Sequence, residues 1–192
     1  MKQEDSLSTL SLAILGLISQ NPQSGYDIRK VFSTTPLGHF SSSPGAIYPA
    51  LRRIEANGWI RAAGRREKTG RPRTVYQITS RGLAVLKRHL SQPVTRGHIV
   101  WHMDDLMLRF AFMDQIVGRE KTLRFLRAFA SEIDAYVPIL RSYLKSATDT
   151  LPPCGRLAME QGIAGYEMNV QWAKRAAKEL ARGARDSRKE RS

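Results

Sequence analysis

Residues 41–59 read SSSPGAIYPALRRIEANGW. A serine run leads into Pro44 and Gly45, and an apolar line then recurs at Ile47, Leu51 and Ile54, the spacing of one helix face. Tyr48, Arg52 and Arg53 lie off that line, and Asn57-Gly58 supplies a stop. A short helix that buries one side and offers serines, a tyrosine and arginines on the other suits a DNA groove. Pro49 conflicts with that helix, because an interior proline removes a hydrogen bond and costs about 3 kcal/mol. Either the regular helix begins later than Pro44, with the serines as a phosphate-holding cap, or it bends near Ile47.

The flanks give this helix a context. On the N-terminal side, residues 7–20 read as a helix that is apolar nearly all round and therefore buried, with Ser6 as its cap and Asn21-Pro22 as its end. Ser24-Gly25-Tyr26-Asp27 has the capping-box spacing and opens a second short helix, with Ile28 and Val31 or Phe32 inward. Thr34 to Phe40 is a loop. On the C-terminal side, Trp59–Ala62 and Thr74–Ile78 read as two strands. Between Arg61 and Arg73 stand six Lys or Arg and one Glu, a basic loop flanked by Gly64 and Gly70. Thr79 then caps a further helix with Leu83, Leu86 and Leu90 inward. Helix, helix, helix, strand, basic loop, strand, helix is the order of a winged helix-turn-helix, in which the third helix enters the major groove and the wing straddles the backbone or reaches into the minor groove.

The composition agrees. The chain of 192 residues carries 31 Lys+Arg against 17 Asp+Glu, a net charge of +14, which calls for a polyanionic partner. No apolar run approaches the roughly 20 residues of a spanning helix, so no membrane partner is expected. The start, MKQEDSLSTL, lacks a signal peptide's apolar stretch, and the single Cys154 cannot form an internal disulfide. A cytoplasmic location is the expectation.

Three separated motifs carry a family resemblance. Ile14-Leu15-Gly16-Leu17 followed by Ser24-Gly25-Tyr26-Asp27 resembles the opening of the PadR family of bacterial transcriptional regulators. Ser43-Pro44-Gly45-Ala46-Ile47-Tyr48-Pro49-Ala50-Leu51 with Arg53-Ile54-Glu55 is similar to its third-helix signature. Gly70-Arg71-Pro72-Arg73, then Tyr76, Ile78-Thr79 and Gly82, is similar to its wing. The match covers about residues 10–90. Ser24 stands where the family usually has His, and Thr74 replaces a basic wing residue, which would weaken one phosphate contact. The resemblance implies a DNA-binding regulator, usually a repressor, acting as a dimer on a palindrome-like site.

Physics assigns roles to the matched positions. Ser41, Ser42 and Ser43, with the Gly45 amide at the start of the helix, can donate to phosphates, helped by the helix dipole. The Tyr48 hydroxyl can reach a phosphate or a base edge; the other reading is a half-buried helix tyrosine. Arg52 and Arg53 can bind phosphate or guanine. Arg65, Arg66, Lys68, Arg71 and Arg73 are the wing's candidate DNA contacts.

Beyond Gln92-Pro93 the pattern turns wholly helical. Residues 103–117 are apolar on Met103, Leu106, Phe110, Met113 and Val117. In 120–147, Leu123, Leu126, Ala130, Ile133, Val137, Leu140 and Leu144 alternate steps of three and four, an a/d seam, with a kink expected at Pro138. After a turn at Asp149–Gly155, Met159, Ile163, Tyr166, Val170, Ala173, Ala177 and Leu180 repeat the pattern. This helical hairpin has more apolar face than it can bury alone, so 120–147 and 156–182 are expected to pair with a second copy, placing two reading heads about 34 Å apart. The alternative is a monomeric subdomain packed on itself. The last residues are polar and basic, a disordered tail.

Other chemistry is thinner. His98 and His102 lie four apart near Asp104 and Asp105, a weak metal signal, so no metal, cofactor or catalytic residue is expected. Trp101, Phe110, Met113, Tyr166, Met168, Asn169 and Trp172 could line a small-molecule effector pocket, though such residues are more often plain core. Some PadR-type repressors resemble sensors of phenolic acids, and nothing in this chain selects that ligand.

The resulting expectation is a mainly α chain and no enzyme. A winged helix-turn-helix spans 1–91, with three helices, a two-stranded wing and a fourth helix. A linker at 92–100, a helical dimerisation hairpin at 101–183 and a basic tail at 184–192 follow. Its partners would be double-stranded DNA, a second copy and an effector. A basic RNA-associated protein shares the charge and stays open, as does, further off, a metal-dependent enzyme using His98 and His102.

Overall fold

The structure, a computed structural model, describes residues 7–40, 43–68, 71–147 and 150–189. The chain divides into two compact units, Met1–Gln92 and Pro93–Ser192. It is mainly helical with one small antiparallel sheet.

In the first unit α1 spans Thr9–Gln20 and is buried continuously from Ser11 to Ile18, as its all-round apolar sequence requires. Its cap is Ser8, whose side chain accepts from the Ser11 N–H at 3.2 Å; Ser6 lies outside the described residues. Gln23–Ser24 forms a short strand, β1, that the sequence pattern did not announce. Its cause is the next helix, α2 (Gly25–Thr34): a capping residue takes extended backbone angles, so Ser24 (φ −82°, ψ 160°) can pair with a strand while it caps. The capping box is complete. Ser24 Oγ accepts from the Asp27 N–H at 3.2 Å, and Asp27 Oδ2 accepts from the Ser24 N–H at 3.1 Å. Ile28 and Phe32 turn inward, and Val31 is half-buried. A short 3₁₀ turn, Pro36–His39, occupies the following loop.

The next helix, α3, runs from Pro44 to Ala56, so the expected later start is corrected. Ser43 adopts the extended cap conformation and accepts from the Gly45 N–H at 3.2 Å, while Pro44 at the first helical position has no N–H to satisfy. Pro49 withholds the N–H that would have reached the Gly45 carbonyl; both residues are exposed, so water can serve that carbonyl. The helix ends in a Schellman motif. Gly58 (φ 70°) donates to the Glu55 carbonyl at 2.8 Å and Trp59 to that of Ile54 at 3.0 Å, with buried Trp59 and Ile54 as the accompanying apolar pair.

Strands β2 (Ile60–Lys68) and β3 (Arg71–Ile78) correct the expected basic loop: both strands continue through it, pairing Arg65 with Thr74, Arg66 with Arg73 and Lys68 with Arg71. A bulge between Ala62 and Gly64 shifts the register, and Gly64 (φ 146°) supplies the backbone conformation that permits it. The sheet order β1-β3-β2 gives three strands where two were expected. Helix α4 (Ser80–Leu90) closes the unit, capped by Thr79, with Val85, Leu86 and Leu90 buried.

The second unit is all-helical: α5 (Arg96–Trp101), α6 (Met103–Val117), α7 (Arg119–Ser146) and α8 (Pro153–Lys189). Helix α5 falls where a linker was expected; Thr95 caps it, and Ile99 provides its buried anchor. Helix α7 continues through Pro138. Its seam is buried at Leu126, Ala130, Ile133 and Val137 and half-buried at Leu123, Leu140 and Leu144. It packs on α8, which buries Ile163, Val170 and Ala173. Arg141 and Lys174 tie the pair through Glu167 and Asp134, the latter at 3.0 Å, as exposed bridges that fix register more than they stabilise. The expected disordered tail is corrected as far as Lys189: arginine, alanine and lysine are good helix formers, and Gly183 alone does not stop the helix. Residues 190–192 lie outside the described residues. Among the described residues, no helix is long and apolar enough to cross a membrane.

Candidate nucleic-acid interface

Helix α3 has two faces. Ile47, Ala50, Leu51 and Ile54 are buried, and the helix packs on α1, α2 and β2. Ser43, Gly45, Arg52 and Arg53 are exposed, and Tyr48 keeps 42% of its surface. The half-buried reading of Tyr48 and the outward one therefore both describe it: the ring lies on Gly25, where an added Cβ would meet Tyr48 Cε1 at 2.7 Å, and the rest faces out.

Beside α3 stands Tyr76 of β3, half-buried, with its phenol pushed above the usual tyrosine range by burial, then by Glu55 and Tyr48, while Arg52 opposes the rise. Tyr48, Arg52, Glu55 and Tyr76 thus share one neighbourhood, where the outer face of α3 meets the base of β3.

The wing arm carries Arg61, whose Nη2 donates to Gln77 Oε1 at 3.5 Å across the strands. The backbone of Arg65, Arg66, Lys68 and Arg71 belongs to the ladder. Their side chains lie outside the described part of the structure, as do Ser41 and Ser42. Arg73 is placed differently from a free phosphate ligand. Its guanidinium carbon sits 3.6 Å from the centroid of the Tyr26 ring, a cation–π stack worth about 0.5–2 kcal/mol.

The proposed effector residues do not form one group. Phe110 and Trp172 meet edge to face at 5.1 Å, joined by Phe125 and Phe129. Tyr166 pairs instead with Tyr136 at 5.6 Å, Met113 is buried, and Trp101 is 78% exposed. Asn169 is half-buried and Met168 exposed. Sequence reasoning passed over Arg109, which is 0% exposed and lies 5.3 Å from the Phe125 ring centroid; burial lowers its pKa and Asp105 counters that. The signal was available, since Arg109 lies in the apolar stripe between Leu106 and Met113, one turn after Asp105.

His98 and His102 stand with ring centroids 6.4 Å apart, and His98 Nδ1 shares a hydrogen bond with Thr95 Oγ1 at 2.7 Å. Among the described residues, no three His, Cys, Asp or Glu side chains gather as a metal site.

A half-buried third helix with a polar outer face, followed by a basic two-stranded arm and a closing helix, defines a winged helix-turn-helix protein. Residues 14–88 match the model of the transcriptional regulator PadR-like family, and residues 104–181 match that of the virulence activator alpha C-terminal region. Residues 14–88 thus carry a PadR-like domain, and that family is one of transcriptional regulators and not of enzymes. It is 34% identical over 85 residues to a probable transcriptional regulator of Mycobacterium tuberculosis, a match covering 43% of this chain and 44% of that one, so the chain spans less than half the length of that relative. Among solved structures it is similar to a PadR-like transcriptional regulator from Bacillus cereus, at 26% identity over 91% of this chain and 99% of the other, with a TM-score of 0.39. It is also similar to Bacillus subtilis PadR in complex with operator DNA, at 23% identity over 90% and 99%, with a TM-score of 0.41.

Proposed function

We propose that this PadR-like regulator is a sequence-specific repressor that binds a palindrome-like operator in double-stranded DNA as a homodimer. One observation carries the reading: α3 buries Ile47, Ala50, Leu51 and Ile54 and presents Ser43, Gly45, Tyr48, Arg52 and Arg53 outward, beside a basic hairpin. The outer face of α3 enters the major groove. The positive end of the α3 dipole, at Ser43, faces a phosphate, and the hairpin lies along the backbone. Pairing of two copies through α7 and α8 is supported by apolar surface the hairpin leaves uncovered, at Ile139, Tyr143, Leu157 and Met168. Repression is steric, by occupancy of promoter DNA. A small-molecule effector would lift it.

The test is fluorescence anisotropy on duplexes from the DNA upstream of the protein's own gene, repeated across salt concentrations and paired with a reporter assay. Six or more phosphate contacts give a slope of log K against log salt near −0.9 per contact. Salt-insensitive binding, or a preference for single-stranded or structured RNA over duplex, would sink the reading. A reporter activated by the protein would keep the DNA site and overturn the repressor sign.

A further inference from the structure

The first two residues of α2 touch both parts of the proposed DNA-reading surface. Gly25 lies under the Tyr48 ring of α3, and Tyr26 lies under the Arg73 guanidinium of β3. Resting on the reading of α3 and the hairpin as a DNA-binding surface, we propose that Tyr26 and Arg73 are positioning residues, which anchor the base of the wing on α2 and so fix it relative to the recognition helix.

The sheet register explains why an anchor is needed at this point. Among the described residues, strand β3 is held on both sides only at Val75 and Tyr76, which pair with Ser24 and Gln23 of β1. From Thr74 toward the tip, β3 pairs with β2 alone, and a two-stranded arm is marginally stable by itself. The bulge falls at the same place: Gly64, with its positive φ, is the partner of Val75. A bulge at the root of an arm is where its direction can change. Arg73 lies two residues beyond Val75 on β3, and Tyr26 lies two residues beyond Ser24, the partner of Val75. The cation–π stack therefore takes up where the β1–β3 ladder stops.

The chemistry suits a fixed joint. Tyr26 is 44% exposed, so its ring is not committed to the core, and the Ser24–Asp27 capping box immobilises its backbone. A guanidinium stacks on an aromatic face where an ammonium would not match it. Because Gly25 is the neighbour of Tyr26, the same corner locates Tyr48 as well.

Two measurements decide the assignment. Amide hydrogen exchange on the DNA-free protein is compared for wild type, Tyr26→Phe and Tyr26→Leu over the Arg61–Ile78 ladder. Anisotropy then gives affinity and salt slope for these and for Arg73→Gln. The expected result is faster exchange in the wing of Tyr26→Leu, near wild-type exchange in Tyr26→Phe, and about threefold to thirtyfold weaker DNA binding in Tyr26→Leu and Arg73→Gln, with unchanged salt slopes and no further loss when the two are combined. Unchanged exchange and affinity in Tyr26→Leu overturns the anchor. A slope reduced by about one phosphate contact in Arg73→Gln, with additive losses in the double variant, makes Arg73 a phosphate ligand instead. The exchange arm needs no DNA, so it decides the anchor even if the wild-type protein fails to bind a duplex.

Discussion

A β-carbon on Gly82 would lie 1.9 Å from the Trp59 carbonyl oxygen. The first turn of α4 therefore rests directly on the backbone at the corner where α3 ends and β2 begins. Thr79 fastens the same corner: its N–H donates to Trp59 O at 3.0 Å, and its hydroxyl lies 2.7 Å from Gly58 O and accepts from the Gly82 N–H at 3.0 Å. The Trp59 backbone cannot move away without breaking the Schellman bond to Ile54. Gly82→Ala is expected to destabilise the first unit by about 3 kcal/mol or more, and Thr79→Val by about 1–2 kcal/mol. Urea unfolding monitored at Trp59 reads both. A Gly82→Ala protein with wild-type stability would show that the corner relaxes freely.

That corner also shows what the sequence could and could not reveal. The helix faces were legible because burial follows a 3.6-residue period: Ile47, Leu51 and Ile54 are all buried, and so is the seam from Leu126 to Val137. Capping chemistry was legible at Ser24 and Thr79, whose partners lie three residues away. Contacts between residues far apart in the chain left no periodic trace. The β1–β3 pairing, the Tyr26–Arg73 stack and the Gly25–Tyr48 contact each depend on the assembled unit. The start of α3 was not legible for a local reason: the residue types show the cost of Pro49 but not the exposure that lets water serve the Gly45 carbonyl. Arg109 is masked by its apolar neighbours Leu106, Leu108, Phe112 and Met113, whose stripe dominates the pattern of α6.

Tyr76 predicts an alkaline limit to stability. Burial first, then Glu55 and Tyr48, raises its pKa above the ordinary 10.0, so the fold favours the neutral phenol. The contribution is fully present below the unfolded value near 10 and is lost as pH rises through the higher folded value. Lysines titrate in the same range, so the informative comparison is with Tyr76→Phe. Urea midpoints from pH 8 to 11 should fall less steeply for that variant. Parallel curves for the two proteins would contradict the assignment. Tyr166, raised by burial and by Tyr136, predicts the same for the second unit.

Arg109 should respond very differently to two substitutions. It is fully buried in α6, with Asp105 one turn earlier only half-buried. Truncation in Arg109→Ala opens a void beside Phe125, at about 3–5 kcal/mol. Arg109→Met keeps most of the volume against Phe125 and leaves Asp105 in reach of water, so it is expected to cost about 1 kcal/mol or less. Denaturant unfolding of the full chain measures both. Equal losses would mean that the guanidinium's own hydrogen bonds, and not its volume, hold the site.

Arg52 and Arg53 are adjacent on α3, yet their neighbours predict different roles in DNA binding. Arg52 shares its surroundings with Tyr48, Glu55 and Tyr76, close to the root of the wing. Arg53 stands in the last turn of the helix, one position before buried Ile54. In helix-turn-helix proteins the N-terminal part of the recognition helix meets the base edges, and residues further along meet the backbone. Tyr48, in the second turn, is the closer of the three to that position, followed by Arg52. Arg52→Gln is therefore expected to cost about 1–3 kcal/mol on the preferred duplex and to relax selection at one base pair. Arg53→Gln should weaken all duplexes alike and lower the salt slope by about one. Binding of each variant to a set of single-base operator changes, at two salt concentrations, separates these outcomes. A uniform loss for Arg52→Gln with a reduced salt slope would reassign it to phosphate, leaving Tyr48 as the base-reading residue to test on α3.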